Sequence, residues 1–340
     1  MPTTVLVTGG AGFIGSHTCV ELLAHGHDVV VVDDFSTGSP GALAAVGEVA
    51  GRAPTVHRVD LRDRQALDGV LAAHPVDAVV HFAARKSVGE SVQMPLDYYD
   101  VNVGGTVALL QAMVAHSVTR LVFSSSCSIY GDGGAGPLTE ADAARPTNPY
   151  ARSKWICEQV IADTCRRHPE MRALALRYFN PAGAHAGGLL GEDPRGQVTN
   201  IMPLLVEVAA GRRAAVRILG ADWPTPDGTA IRDYVHVEEI AQGHRIALGE
   251  LDRGHPGLEV LNLGTGVGTS VRELVTAFGI ACGRELPVEV VGRRPGDVAE
   301  LVADPSRVAA RWGWKAERDV AAICRDAWRF HQGHPRGYPG

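Results

Sequence analysis

A chain of 340 residues with 45% hydrophobic and 21% charged residues has the make-up of a soluble globular protein and is long enough for two domains. Its net charge of −6 argues against a nucleic-acid partner, which calls for a basic surface to neutralise phosphates. No run of 18 apolar residues offers a membrane span, and no basic segment with a long apolar core opens the sequence, so a cytoplasmic location is expected. The six cysteines (Cys19, Cys127, Cys157, Cys165, Cys282 and Cys324) form no C-x-x-C pair. They read as reduced thiols, and the histidines, without ligand spacing, predict no metal.

In chain order, β-branched runs at 5–8, 29–32, 56–59, 78–82, 121–124 and 173–178 alternate with helical stretches. Continuous apolar strands of this kind are buried on both faces, which predicts a doubly wound parallel sheet over residues 1–180. Past Asn180 the chain turns into the Gly- and Pro-rich "PAGAHAGGLLGEDPRGQ", and runs at 216–219 and 258–263 lie among longer loops. This shift predicts a smaller α/β substrate-binding domain over 181–340.

The first turn is "VTGGAGFIGSH", residues 7–17, with four glycines behind an apolar strand and ahead of the helical pattern "FIGSHTCVELLAHG". Glycine is unfavourable within strands and helices, so such a cluster implies something approaching the backbone closely. At a strand-to-helix turn that something is a diphosphate, held by the free N–H groups of the helix start. The spacing reads either as Gly10-x-Gly12-x-x-Gly15 or as Gly9-x-x-Gly12-x-x-Gly15. Asp33, 18 residues after Gly15 at the end of "VVVVD", is placed to accept both hydroxyls of an adenosine ribose. A carboxylate there repels a 2′-phosphate, so the expected cofactor is NAD and not NADP.

Further on, "LVFSSSCSIYGD" is followed by "NPYARSK". Tyr150 and Lys154, four apart on a helix after Pro149, share one face and can act on one bound molecule. A phenol with an ordinary pKa of ~10 becomes a usable base only where positive charge lies nearby, and an ammonium and an oxidised nicotinamide both supply it.

With these motifs the sequence resembles the extended short-chain dehydrogenase/reductase superfamily and, within it, the UDP-glucose 4-epimerase family. The likeness runs through "LVTGGAGFIGSHTCVELL", "VVHFAARKSVGESVQMPLDYY", "LRYFNPAGAH", "GEDPRG", "NIMPLL", "TPDGTAIRDYVHV", "NLGTGVGTSV", "RRPGD" and "HPRGYP". The resemblance implies a Rossmann-like fold with NAD bound by Gly9, Gly12, Phe13, Ile14, Gly15, Asp33, Asp60, Leu61, Phe82, Ala83, Lys86, Asn102, Tyr150, Lys154 and Tyr178. It implies a UDP-sugar held by Ser126, Asn180, Asn200, Arg217, Ile218, Leu219, Arg232 and Arg294, with Leu301 at a position that gauges the sugar's 2-substituent. Ser126, Tyr150 and Lys154 are then the catalytic group. Tyr150 takes the proton of the 4-hydroxyl, and C4 is inverted through a 4-keto sugar, interconverting UDP-glucose and UDP-galactose. Pairing of two copies through helices over 95–116 and 149–168 is implied as well. Ala84-Arg85 stands where many relatives have Gly-Leu. The related nucleotide-sugar 4,6-dehydratases carry Asp-Glu directly after the catalytic hydroxyl residue, and here Cys127 and Ser128 occupy those places, which disfavours elimination.

Overall fold

The computed structural model describes residues 3–132, 136–195, 198–254, 257–294 and 296–338. Gly196 of "GEDPRG", Pro295 of "RRPGD" and Pro339 of "HPRGYP" lie outside the described residues. The first half alternates strand and helix: β1 (Thr4–Thr8), α1 (Phe13–Ala24), β2 (Asp28–Asp33), α2 (Pro40–Ala50), β3 (Thr55–Arg58), α3 (Arg64–Ala73) and β4 (Ala78–His81). There follow α4 (Val88–Gln93), α5 (Pro95–Tyr98), α6 (Gly105–Ala115), β5 (Arg120–Ser124), α7 (Pro149–Arg167) and β6 (Arg172–Tyr178). The helix expected over 95–116 is continuous in direction but carries a π-helical turn, Tyr99–Gly104, between α5 and α6. Such turns often mark functional positions, and this one buries Asn102.

The remaining elements are β7 (Asn180–Ala182), α8 (Ile201–Ala209), β8 (Val216–Leu219), β9 (Ile231–His236), α9 (Val237–Leu251), β10 (Gly257–Leu263) and β11 (Gly268–Ser270). α10 (Val271–Cys282), β12 (Val288–Val291), β13 (Glu300–Leu301), α11 (Ser306–Trp312) and α12 (Val320–Gly333) complete the chain. Among the described residues no helix is long and apolar enough to cross a membrane.

Seven strands form one sheet in the order β3-β2-β1-β4-β5-β6-β10, with every neighbour parallel. Val5, Val7, Val29, Val31, Val80, Val122 and Leu174 point into one apolar layer, and Leu6, Val30, Val79, Leu121, Phe123 and Ala173 into the other. This two-sided burial is what the valine-rich runs require. β3 departs from the pattern: as the edge strand it is largely exposed, and Val56 faces solvent. The order reverses between β1 and β4, and at such a switch point the strand ends part to leave a crevice.

The expected division at residue 180 cuts the sequence but not the sheet. After β9 the chain recrosses, α9 packs on α1, and β10 pairs with β6. The second lobe keeps two small sheets, β11-β9-β13 with β7 also on β9, and β8-β12. Its core is formed by Met202, Leu205, Leu274, Phe278, Ile323 and Cys324 between α8, α10 and α12.

Candidate active site

At the switch point the glycine turn has three distinct jobs. Gly9 adopts φ +71°, and a Cβ there would lie 2.6 Å from the Ala83 nitrogen beyond β4. A Cβ on Gly15 would collide with the Gly9 carbonyl oxygen. Gly12 differs: its φ of −81° suits any residue, and a Cβ would meet only the Gly9 oxygen, at 3.3 Å. Gly12 is the N-cap of α1, whose first turn, Phe13 to Gly15, receives no side-chain cap. This leaves a concave, donor-rich helix start of the kind that holds a diphosphate.

Asp33 ends β2 beside this turn. Its Oδ2 accepts the Ala11 N–H at 2.9 Å and its Oδ1 the Phe35 N–H at 2.8 Å. Burial raises its pKa against the pull of those two N–H groups. Each oxygen keeps a free lone pair for a ribose hydroxyl, so the donor set and the space over Gly12 fit NAD. Phe82 and Ala83 border the crevice from the end of β4, with Phe82 against the His244 ring. Leu61 is buried against Gly105 at the start of α6.

The residues expected to form the catalytic group come together from the turn after β5 and from α7. Asn148 caps α7 through the Ala151 N–H at 2.9 Å and Pro149 occupies its first turn, so Tyr150 and Lys154 lie one turn apart facing the sheet edge. Lys154 Nζ donates to the Ser124 carbonyl at 2.8 Å, and burial draws its pKa down to about 8. Burial pushes the Tyr150 phenol up to about 12, against a hydrogen bond with Ser126 that pulls it down. Ser126 Oγ also meets Ser128 Oγ at 2.7 Å and accepts the Ser128 N–H at 3.2 Å. Tyr178 closes the group from β6, its hydroxyl in a short hydrogen bond with Ser124 Oγ.

Other expected site residues are engaged within the protein. Asn102 is buried, with its carboxamide on the Arg85 N–H and C=O at 2.8 and 3.0 Å and on Ser153 Oγ at 2.9 Å, so it shapes the loop after β4. Asp60 is gripped by Arg62. Lys86 Nζ and Asn200 Nδ2 meet on one acceptor, Glu192 Oε1, at 3.1 and 2.9 Å. Arg294 pairs with Asp297, and Arg232 Nη1 donates to the Ile231 carbonyl at 2.7 Å. Arg217, Ile218 and Leu219 lie on β8, with Arg217 exposed, and Asn180 opens β7. Leu301 belongs to one buried cluster with Cys127, Tyr130 and Phe179, so it shares a core with the residue next to Ser126.

Two buried groups escaped the motif reading. Asp233 binds the Thr265 and Gly266 N–H groups and the Ala303 N–H, tying the loops around Arg232. His81 spans Thr8 and Thr106 at 2.7 and 3.0 Å. Thr106 donates to the Asn102 carbonyl, so His81 carries its proton on Nε2 and accepts from Thr8 on Nδ1.

A turn, a ribose acceptor and a Tyr/Lys pair at one crevice accord with the family model that matches residues 5–264, the NAD dependent epimerase/dehydratase family. The chain belongs to that family. It is similar to the UDP-glucose 4-epimerase of Yersinia pestis, at 46% identity over 98% of this chain and 99% of that protein. It is also similar to the UDP-glucose 4-epimerase of Bacillus subtilis (strain 168), at 45% identity over 98% of both chains. Among solved structures, the UDP-glucose 4-epimerase of Bifidobacterium longum in complex with NAD+ and UDP superposes with a TM-score of 0.95 at 43% identity, covering 99% of this chain and 100% of that one.

Proposed function

We propose that this chain interconverts UDP-glucose and UDP-galactose by inverting C4 through a transient 4-keto sugar, with NAD retained between turnovers. Epimerases and dehydratases share the oxidation step, and what separates them is an acid/base pair for removing water. The convergence of Ser126, Tyr150 and Lys154 without a carboxylate at positions 127 and 128 carries the epimerase reading. The named relatives support it independently.

Tyr150 accepts the proton of the 4-hydroxyl while Ser126 holds that oxygen in line. NAD, when bound, supplies the hydride acceptor and returns the hydride to C4. Lys154, anchored on the Ser124 carbonyl, keeps N–H groups for the nicotinamide ribose, at the other end of the dinucleotide from the ribose of Asp33. Arg232 and Arg294 offer planar forks to the diphosphate, and Arg294 exchanges Asp297 for phosphate oxygens. The nucleotide is thus fixed and the sugar is left free to turn. Leu301, in the cluster that also holds Cys127, walls the sugar with less reach than a phenol and more bulk than a thiol, so 2-acetamido sugars are turned over slowly and not excluded.

Two copies pair through α6 and α7, whose outer faces form a groove lined by Val107, Leu110, Val114, Val160 and Thr164. The free state of all six cysteines supports a cytoplasmic setting. The test is incubation of the purified protein with UDP-galactose and no added cofactor. UDP-glucose is the expected product; a 4-keto-6-deoxy sugar, or no product even with NAD added, would overturn the reading.

A further inference from the structure

Behind the serine turn lies an ion pair that the reaction as described does not use. Arg177 on β6 forks onto Glu158 on α7, Nε to Oε1 at 2.9 Å and Nη2 to Oε2 at 2.6 Å. Ser125 Oγ donates to the same Oε1 at 2.5 Å. Both charged side chains are buried. The Arg177 guanidinium lies 4.9 Å from the centre of the Tyr130 ring, and Tyr130 in turn donates to Asn262 Oδ1 on β10 at 2.6 Å. Burying two charges is costly, and an apolar pair of equal volume is often as stable or more so, so stability alone does not account for it.

Its placement does. Glu158 stands one helical turn beyond Lys154 and two beyond Tyr150. Its partners Ser125 and Arg177 are the chain neighbours of Ser126 and Tyr178. We propose that Glu158 is a positioning residue: its carboxylate, gripped by Arg177, locks α7 to the serine turn so that Tyr150 and Ser126 converge on the same sugar oxygen. The inference rests on the epimerase reading.

The same carboxylate also acts on charge. Glu158 and Cys157, both on α7, favour the Lys154 ammonium against burial, while His81 faces it from β4 and Arg177 offsets part of Glu158 from β6. Neutralising Glu158 therefore lowers the Lys154 pKa, and the high-pH limb of the activity profile moves to lower pH.

The experiment compares wild type with E158Q, with S125A, which removes one hydroxyl and leaves the ion pair, and with E158M/R177M, which removes both charges. Wild-type turnover of UDP-galactose is measured first, since its absence would overturn the epimerase reading itself. Lysine titration is followed by NMR on protein carrying isotope-labelled lysine, because the chain has only Lys86, Lys154 and Lys315. That readout needs no turnover. E158Q is expected to lose about 10²-fold in kcat, the effect of a small misplacement of reacting groups, with KM within about twofold. Its Lys154 signal should titrate at lower pH than in wild type. S125A should lose several-fold in kcat with the Lys154 titration unchanged. E158M/R177M should melt no lower than wild type and still be slow. Folded E158Q with wild-type kcat and an unmoved Lys154 titration would overturn the proposal. So would wild-type kcat in E158M/R177M or in S125A, either of which decides the matter if E158Q does not fold.

Discussion

In Tyr150→Phe the ring remains and the proton acceptor is removed, so NAD content and inhibition by UDP should persist while kcat falls by roughly 10²- to 10⁴-fold. Near-normal turnover would take Tyr150 out of the mechanism, whereas Ser126→Ala, which removes only an orienting hydrogen bond, should be milder. The pH dependence follows from the same two side chains. Burial sets the Tyr150 phenol at about 12, so activity should climb with pH as the phenol ionises more readily. Lys154 supports that ionisation only while cationic. With its pKa drawn down to about 8 by burial, the gain should flatten and reverse above that pH. The four-residue spacing on one face of α7 makes the Tyr150–Lys154 pair legible in the sequence, whereas Ser126, on the turn after β5, enters only through the family resemblance. The Glu158–Arg177 pair left only half a signal, the further step of four from Lys154 to Glu158, since its other half arrives on a strand.

The glycine turn is the element where packing and binding can be separated by substitution. Gly15→Ala would drive a methyl into the Gly9 carbonyl at the start of α1. Overpacking of this kind costs about 1–3 kcal/mol or more, so the variant should melt lower and lose NAD. Gly12→Ala has an ordinary φ and its methyl would press only on the Gly9 carbonyl oxygen, at 3.3 Å, so its cofactor-free form should melt only slightly below wild type. It should still fail to retain NAD, because the methyl occupies the approach to the helix start; full NAD content in purified Gly12→Ala would contradict the assignment of that space. Most strands are readable from their valine runs, but β10, which follows the division expected at residue 180, pairs with β6 of the first lobe. Its apolar character was plain, yet periodicity says nothing of which strand a segment will pair with, and its partner β6 lies across the whole excursion through β7 to α9. The π turn was likewise invisible, since its residues keep a helical pattern while Asn102 is drawn inward to the Arg85 backbone.

At the scale of the molecule, four imidazoles among the described residues sit buried and neutral: His17 on α1, His81 on β4, His236 on β9 and His244 on α9. Burial lowers their pKa values to about 4, about 3, about 3 and about 4 respectively. The unfolded chain takes up protons at these groups below an ordinary histidine pKa of ~6.5, and the folded protein does not until the lower values are reached. Stability therefore falls as pH drops from about 6.5 towards 4. At full coupling of four protons the melting temperature should drop by at most about 8 °C per pH unit, readable by calorimetry. A flat profile over that range would mean that the imidazoles are charged or solvated in the native state. The central claim, that C4 is inverted by removal and return of the same hydride within one enclosed site, is tested most directly by isotope. UDP-galactose carrying deuterium at C4 is converted in ordinary water, and the UDP-glucose formed is analysed by mass spectrometry. Complete retention of deuterium at C4 is the predicted result; its replacement by solvent hydrogen would contradict the account, because C4 would then have been inverted by proton exchange with water.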